Sequence, residues 1–248
     1  MVESKAGVAA AGPVPRGSFR SVLRPQIDLP LSSRAAGVVD VIHLPEGSPI
    51  KAGQPIMTLD AEQEKAEVAQ VEASLRGTQA EVDRTAAELE RAAKLRDINS
   101  EKQFVDAKAQ AEQARSRHEH ALATLRLTQV RLANRSITSP IDGILFKTYK
   151  LMGENVDRYE TVARIIDTTS LEMTVFCDSG YFSKFRTGQR VEIRVVKSPQ
   201  EQPIVSGSVI HKDPIVDPSS GTFRIKIKID PSVNSASGDQ AFLIAPSP

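Results

Sequence analysis

Between Ala61 and Arg135 the apolar positions of this 248-residue chain recur with a helical period. Val68, Leu75, Val82 and Leu89 stand seven residues apart, and Val71, Thr78, Thr85 and Ala92 follow each of them by three. This is an a/d seam with threonine at two of its d positions. A second series, Phe104, Ala111, His118, Leu125 and Leu132, is interleaved with Ala107, Ala114, Ala121 and Thr128. The stretch has no proline and one glycine, Gly77, and is rich in Ala, Glu, Gln, Lys and Arg, which favour helix. The seam breaks once, near Arg96, Asp97, Ile98, Asn99 and Ser100, where Ser100 followed by Gln103 forms a capping-box signature. The pattern predicts two antiparallel helices of about 35 residues each, a pair roughly 50 Å long at 1.5 Å per residue, joined by a tight tip. The alanines of the second helix let the two backbones approach closely, and the outer faces are charged.

On either side the period changes. Residues 21–36 read as an extended segment, with Val22, Leu23, Ile27, Leu29 and Leu31 among polar residues and prolines. From Gly37 to Asp60 short β runs alternate with turns bearing Gly or Pro. The same pattern returns from Ser139 to Asp167. At an offset of 106, Gly37 aligns with Gly143, Gly47 with Gly153, Ile50 with Val156, Ile56 with Val162 and Leu59 with Ile165. An ungapped internal repeat of this kind outranks other signals. Each copy is too short to bury a core alone. The two copies are therefore expected to pack on each other as one β module, with the helix pair inserted between them. From Thr168 onward strands dominate. Leu171, Met173, Val175 and Cys177 alternate with polar residues, as do Phe223, Ile225, Ile227 and Ile229. Five or six short antiparallel strands and one helical turn predict a small β-barrel.

Composition narrows the function classes. The net charge of +1 leaves no electrostatic footprint for nucleic acid. Cys177 is the sole cysteine, so no intrachain disulfide is possible, and in an alternating strand it reads as a small core residue. No run of 18 apolar residues marks a transmembrane helix. Residues 1–20 lack the apolar core of a signal peptide and read as a flexible segment rich in Ala, Gly and Pro. Within them, Val14, Pro15, Arg16, Gly17 and Ser18 match a thrombin-cleavage sequence, as a vector remnant or by chance. A remnant would mean that the native N-terminus, with any signal or anchor, has been replaced.

Candidate chemistry is sparse. No nucleophile–base set, Gly-rich phosphate loop or His-Glu-x-x-His motif is present. His118 and His120 are two residues apart on a helix and point to different faces, so metal is not expected. His118 falls on the seam, where a polar residue can set register. Asp60 reads as a cap or first-turn acid of the first helix. The pairs Glu46–Gly47 and Asp142–Gly143 read as turn chemistry. Arg224, Lys226 and Lys228 form the basic face of a strand, either solvated or in contact with a partner.

With these features in order, the chain resembles the periplasmic adaptors, or membrane fusion proteins, of bacterial tripartite efflux and secretion pumps. The resemblance is to the HlyD-like family and, within it, most to adaptors of resistance-nodulation-division pumps. It covers residues from about 27 to 244. It rests on Gly37, Glu46-Gly47 and Ile50-Lys51-Ala52-Gly53 in the first repeat, and on Ser139-Pro140-Ile141-Asp142-Gly143 in the second. A third motif runs Pro214-Ile215-Val216-Asp217-Pro218-Ser219-Ser220-Gly221-Thr222. The resemblance implies an α+β multidomain fold. Residues 61–135 form an antiparallel coiled-coil hairpin inserted in a split lipoyl-like module of 21–60 and 136–167, with 21–36 as its leading strand. Residues 168–248 form the β-barrel domain.

Gly37, Gly47, Gly53, Gly143 and Gly153 are then the lipoyl-like turn glycines. The implied role is to bridge an inner-membrane transporter and an outer-membrane channel, for efflux of small molecules, from a periplasmic position on the inner membrane. The implied assembly is a ring, usually a hexamer, with no cofactor and no catalysis. The hairpin tip, Lys94, Leu95, Arg96, Asp97, Ile98, Asn99 and Ser100, would meet the channel. Related efflux tips carry Arg-Leu with a Ser seven residues after the Leu; here Lys94-Leu95 is followed by Ser100 after five. An adaptor of an ABC-type or type I secretion exporter shares the same modules. A biotin or lipoate carrier would need a modified lysine. Lys65 is nearest, but it falls in the first turns of a helix and lacks a Met-Lys-Met or Asp-Lys-Ala context.

Overall fold

The computed structural model describes residues 18–94, 101–198, 201–230 and 237–244. Strands β1 (Ser18–Val22), β2 (Arg24–Ser32), β3 (Gly37–Ile42), β4 (Pro49–Ile50) and β5 (Pro55–Leu59) precede helices α1 (Glu62–Lys94) and α2 (Glu101–Ala133). Then come β6 (Ser136–Thr138), β7 (Gly143–Thr148), β8 (Asn155–Val156) and the long β9 (Thr161–Asp178). A 3₁₀ segment, Ser179–Lys184, leads to β10 (Arg190–Val196), β11 (Ile204–Lys212), β12 (Thr222–Ile229) and β13 (Gln240–Ile244). The architecture is α+β, in two compact units: Pro30–Arg164, and Met1–Leu29 with Ile165–Pro248. The boundary falls inside β2 and inside β9.

In the first of these units, α1 and α2 run antiparallel. Glu67 meets Arg131 at 3.2 Å, and Thr78 meets His118 at 3.2 Å, so the residue numbers of facing pairs sum to nearly the same value. The positions with the seven-residue period are those turned away from solvent. Thr85, Thr128, Ala111 and Ala114 are buried, and the remaining seam residues are half-buried. The buried threonines do not leave a polar group stranded. Thr85 Oγ1 donates to the Glu81 carbonyl at 2.9 Å and Thr128 Oγ1 to the Leu125 carbonyl at 2.9 Å, which leaves their methyl groups for the seam. At the start of α1, the Asp60 carboxylate accepts from the Glu62 N–H at 3.1 Å.

The repeat at offset 106 is a repeat of backbone. β3, β4 and β5 have β7, β8 and the first residues of β9 as counterparts, residue for residue. Each copy completes its ladder with the other: Gly37 pairs with Val156 across β3–β8, and Gly143 with Ile50 across β4–β7. The turns follow the same rule. The Gly53 N–H donates to the Ser139 carbonyl at 2.7 Å, and the Tyr159 N–H to the Ser33 carbonyl at 2.7 Å. Ser33 and Ser139, both buried, each bond the carbonyl two residues on at 2.6 Å. Val39, Ile50, Ile56 and Leu59 are buried in one copy, and Leu145, Val156, Val162 and Ile165 in the other. A copy alone would expose both these side chains and one side of each ladder.

In the other unit the sheet order is β1-β13-β10-β11-β12-β9, and β2, which follows β1 after Leu23 alone, pairs with β9. The sheet thus returns to the chain segment at which it began. Its interior holds Leu23, Met173, Val175, Cys177, Phe185, Ile193, Phe223, Ile225 and Ile227. The expectation for residues 21–36, a leading strand of the repeat module, is corrected for its first part. β1 pairs with β13 from Ser18 opposite Ile244 to Val22 opposite Gln240, and residues up to Leu29 fall in this unit. Two forces place them there. Leu23 is 1% exposed in this core, and without β1 the strand β13 would present a bare edge.

Candidate docking surfaces

The far end of the helix pair is the surface that the sequence singled out. Lys94 closes α1 with its ammonium on Glu90, one turn back, at 2.6 Å, and its side chain is exposed. Leu95, Arg96, Asp97, Ile98, Asn99 and Ser100 lie outside the described residues. Below them the outer face of α1 is laced by ion pairs along the helix. Arg84 holds Glu81 at 2.7 Å and Glu88 at 2.5 Å, and its guanidinium keeps the Glu81 carboxyl below its ordinary range. His118 and His120 do not converge. Because the Thr78 hydroxyl donates to the Leu75 carbonyl at 2.9 Å, its oxygen is left to accept from His118 Nδ1. His120 lines an open groove on the flank of the pair, with Ser74, Gln113, Ser116 and Thr124. Among the described residues no group of His, Cys, Asp and Glu gathers into a metal site.

The five repeat glycines divide. Gly47, Gly53 and Gly153 have φ of 84°, 82° and 86°, the left-handed region that glycine enters freely, and they form turns. Gly37 and Gly143 instead open strands β3 and β7 and sit in ladder pairs. At Gly37 the missing side chain makes room for the Arg135 guanidinium, which would collide with a Cβ. The acids beside Gly47 and Gly143 do more than shape turns. The Glu46 carboxylate accepts from the Thr148 N–H at 2.8 Å, and Asp142 accepts from the Ala52 N–H at 2.8 Å and pairs with Lys51 at 3.3 Å. Each therefore reaches from one copy of the repeat to the other. These backbone hydrogen bonds are the main reason that both carboxyls titrate below their usual values. Lys65 sits on α1 in an ion pair with Glu62 at 2.8 Å, which raises its pKa and holds it charged.

On the sheet of the C-terminal unit, the face of Arg224, Lys226 and Lys228 is partly neutralised. Asp213 accepts from Arg224 at 3.1 Å and faces His211 at 3.0 Å; His211 first and Arg224 second lower its pKa. Lys226 lies 3.9 Å from Glu172. Beside Arg224 a cleft of about 570 Å³ is walled by Phe176 and Ile215, which are 62% and 74% exposed. Burial pushes the Cys177 thiol up to about 12, which suits a core residue and not a reactive one.

Several exposed residues escaped the sequence reading: Phe176, Leu151, Met152 and Tyr159. For Tyr159 a signal was available. It is the residue that the 106-residue offset places opposite Gly53, and it is the one non-glycine among the described residues with positive φ, at 68°.

This architecture has known counterparts. The membrane fusion protein Spr0693 of Streptococcus pneumoniae R6 superposes with a TM-score of 0.74 over 93% of this chain and 99% of its own, at 14% identity. The chain has the membrane fusion protein fold. A MacA–MexA chimera containing the Pseudomonas aeruginosa MexA α-hairpin domain shares this fold at a TM-score of 0.69 and 18% identity, over 92% of this chain and 80% of the chimera. MacA from Actinobacillus actinomycetemcomitans gives 0.65 at 17% identity, over 96% of this chain and 82% of MacA. No family model matches the chain. An uncharacterized protein of Haemophilus influenzae is 22% identical over 236 residues, which cover 93% of this chain. The chain spans 58% of the length of that relative. Among the described residues no helix is long and apolar enough to cross a membrane.

Proposed function

We propose that this protein is a periplasmic adaptor subunit that bridges an inner-membrane transporter and an outer-membrane channel, for efflux of small molecules. The observation that carries this reading is the helix pair inserted between two mutually completing copies of one β repeat. In it, α1 and α2 are a coiled-coil hairpin, the paired repeats are a lipoyl-like module, and the C-terminal sheet with its 3₁₀ segment is a β-barrel. The hairpin tip at 94–100 docks the channel. The outer sheet face of Phe176, Arg224 and Lys226 contacts the transporter, of the resistance-nodulation-division class, or a neighbouring copy. The subunits form a ring, a hexamer by analogy, on the periplasmic side of the inner membrane. The protein's role is assembly and coupling, with no chemistry of its own. The paired state of Lys65 on a helix supports this over a carrier role.

The test is crosslinking from native envelopes with a photoreactive residue at Asn99 and another at Lys226. Capture of an outer-membrane channel at Asn99, and of an inner-membrane transporter or second copy at Lys226, is the expected result, and the captured transporter names the pump class. Capture of soluble cytoplasmic enzymes at both positions would overturn the reading. So would an added biotin or lipoyl mass on protein from the native host.

A further inference from the structure

We infer that the turn bearing Tyr159 is an intersubunit knob, and that it inserts into the cleft lined by Leu31, Arg34, Ala133, Ile137, Thr138 and Pro140 of a second copy of this chain. The inference rests on the ring-forming reading above and names the contact that builds the ring.

The two repeats have the same backbone, so their differences mark what the fold does not require. At position 53 the turn has glycine, as its positive φ demands; at 159 the same turn has tyrosine, with φ 68°. A bulky residue in this region is strained, and such strain persists where something else selects it. Packing within the subunit does not select it. Tyr159 is 69% exposed, and among the described residues the Arg158 guanidinium over its ring, 5.0 Å away, is its one ring contact. The preceding turn of the same copy carries Leu151 and Met152, 68% and 72% exposed, where the first copy has Pro45 and Glu46.

The two turns are locked together. Glu160 pairs with Lys150 at 2.7 Å through one oxygen and accepts from the Asp157 N–H at 2.8 Å through the other, and Lys150 also donates to the Asn155 carbonyl at 2.8 Å. An exposed aromatic held on a rigid turn loses little freedom on binding.

The cleft of about 450 Å³ is the complementary shape, with room for a ring that buries 150–250 Å² on insertion. Tyr159 does not line its own cleft. Charge selects the same match. Among the described residues neither Asp157, on the knob, nor Arg34, at the cleft, has an ion-pair partner. Bringing them together across the contact gives each one. The knob adjoins the cleft of its own subunit, since the Tyr159 N–H bonds the Ser33 carbonyl beside Arg34, but it is a distinct patch. A contact that seats one copy's knob in the next copy's cleft is heterologous, and its repetition closes a ring or extends a filament.

The test uses the full chain. Tyr159→Cys and Ala133→Cys are made in separate proteins; Cys177 is buried and adds little background. Oxidation of the mixture is expected to give a disulfide-linked pair at least ten-fold above either protein alone. Asp157→Arg is expected to lower assembly mass by light scattering, and Arg34→Asp in the same chain to restore it. Assemblies that form without the mixed disulfide, and that Asp157→Arg leaves unchanged, would overturn the knob while the adaptor reading stands. A chain that stays monomeric at all concentrations would also overturn it, and the adaptor reading would then be judged by its channel and transporter crosslinks.

Discussion

Arg135, just beyond α2, reaches Glu64 in the first turn of α1, and its Nη1 donates to the Ala36 carbonyl at 2.7 Å. One guanidinium thus ties both helices to the strand that enters the repeat module, across the face of Gly37. The pair is largely buried, with Arg135 and Glu64 side chains 20% and 13% exposed. Removing one partner leaves the other charge desolvated and unpaired. Glu64→Gln is expected to cost about 2–3 kcal/mol by denaturant unfolding. Gly37→Ala should cost about 1 kcal/mol, because its Cβ displaces the guanidinium, and should cost nothing further in an Arg135→Met background. Additive losses in that double mutant would show that the crowding at Gly37 comes from elsewhere.

The close approach of α1 and α2 depends on small seam residues. Ala114 is 3% exposed, so a leucine there has no space without separating the helices. Ala114→Leu is expected to destabilise by about 1–3 kcal/mol. Ala109, on the solvent side of the same helix, is the control. Ala109→Leu should change stability by less than about 0.5 kcal/mol. Equal effects of the two substitutions on the melting temperature would contradict the seam assignment.

The seam was legible because a seven-residue period converts directly into one buried face. The outer strands were legible for the same reason: Phe223, Ile225, Ile227 and Ile229 point inward while Arg224, Lys226 and Lys228 alternate outward. What period cannot carry is the identity of a distant partner. Nothing local in Ser18 to Val22 announces a ladder with Gln240 to Ile244: Ser18 to Arg20 read as the end of a flexible segment and Ser21 and Val22 as part of the nearer module, and β1 corrects both. Asp142 and Glu46 looked like turn residues because Asp-Gly and Glu-Gly read as turns locally, whereas their partners lie about a hundred residues away. Tyr159 was hidden by its type, since apolar and glycine matches defined the repeat and a mismatch drew no weight. The residues of the tip apart from Lys94 lie outside the described part of the chain.

Gly207 shows a requirement that sequence alone does not mark. It sits in β11 between β10 and β12, opposite Val191 and Ile229. A Cβ there would stand 2.7 Å from Ile193 Cδ1, 2.8 Å from the Lys228 carbonyl oxygen and 2.9 Å from Ile227 Cγ2. The carbonyl belongs to the ladder and cannot step aside as a side chain would. Gly207→Ala is expected to cost at least about 2 kcal/mol by chemical denaturation. Gly180→Ala, in the 3₁₀ segment with open space around it, should stay within about 0.5 kcal/mol of the parent. If Gly207→Ala melted with the parent, the tight passage of β11 would be wrong.

The carboxylates of Glu46 and Asp142 give the repeat module an acid limit whose direction follows from their pKa values. Both are depressed in the folded chain, chiefly by backbone N–H donors of the other copy and, for Asp142, also by Lys51. A depressed carboxyl stabilises the fold fully above its unfolded pKa, near 3.9 for Asp and 4.3 for Glu, and loses that contribution as pH falls through the lower folded value. From neutrality down to about pH 5 the module should therefore hold its stability, and the decline should begin below about pH 4. Asp142→Asn keeps an oxygen for the Ala52 N–H but gives up the charge that Lys51 and the donor both favour. In calorimetry the variant should melt below the parent at pH 7, and the difference should shrink as the parent's Asp142 becomes protonated. A difference that stayed constant from pH 7 to pH 3 would mean that the link between the copies is not electrostatic, and that Asp142 holds them by shape alone.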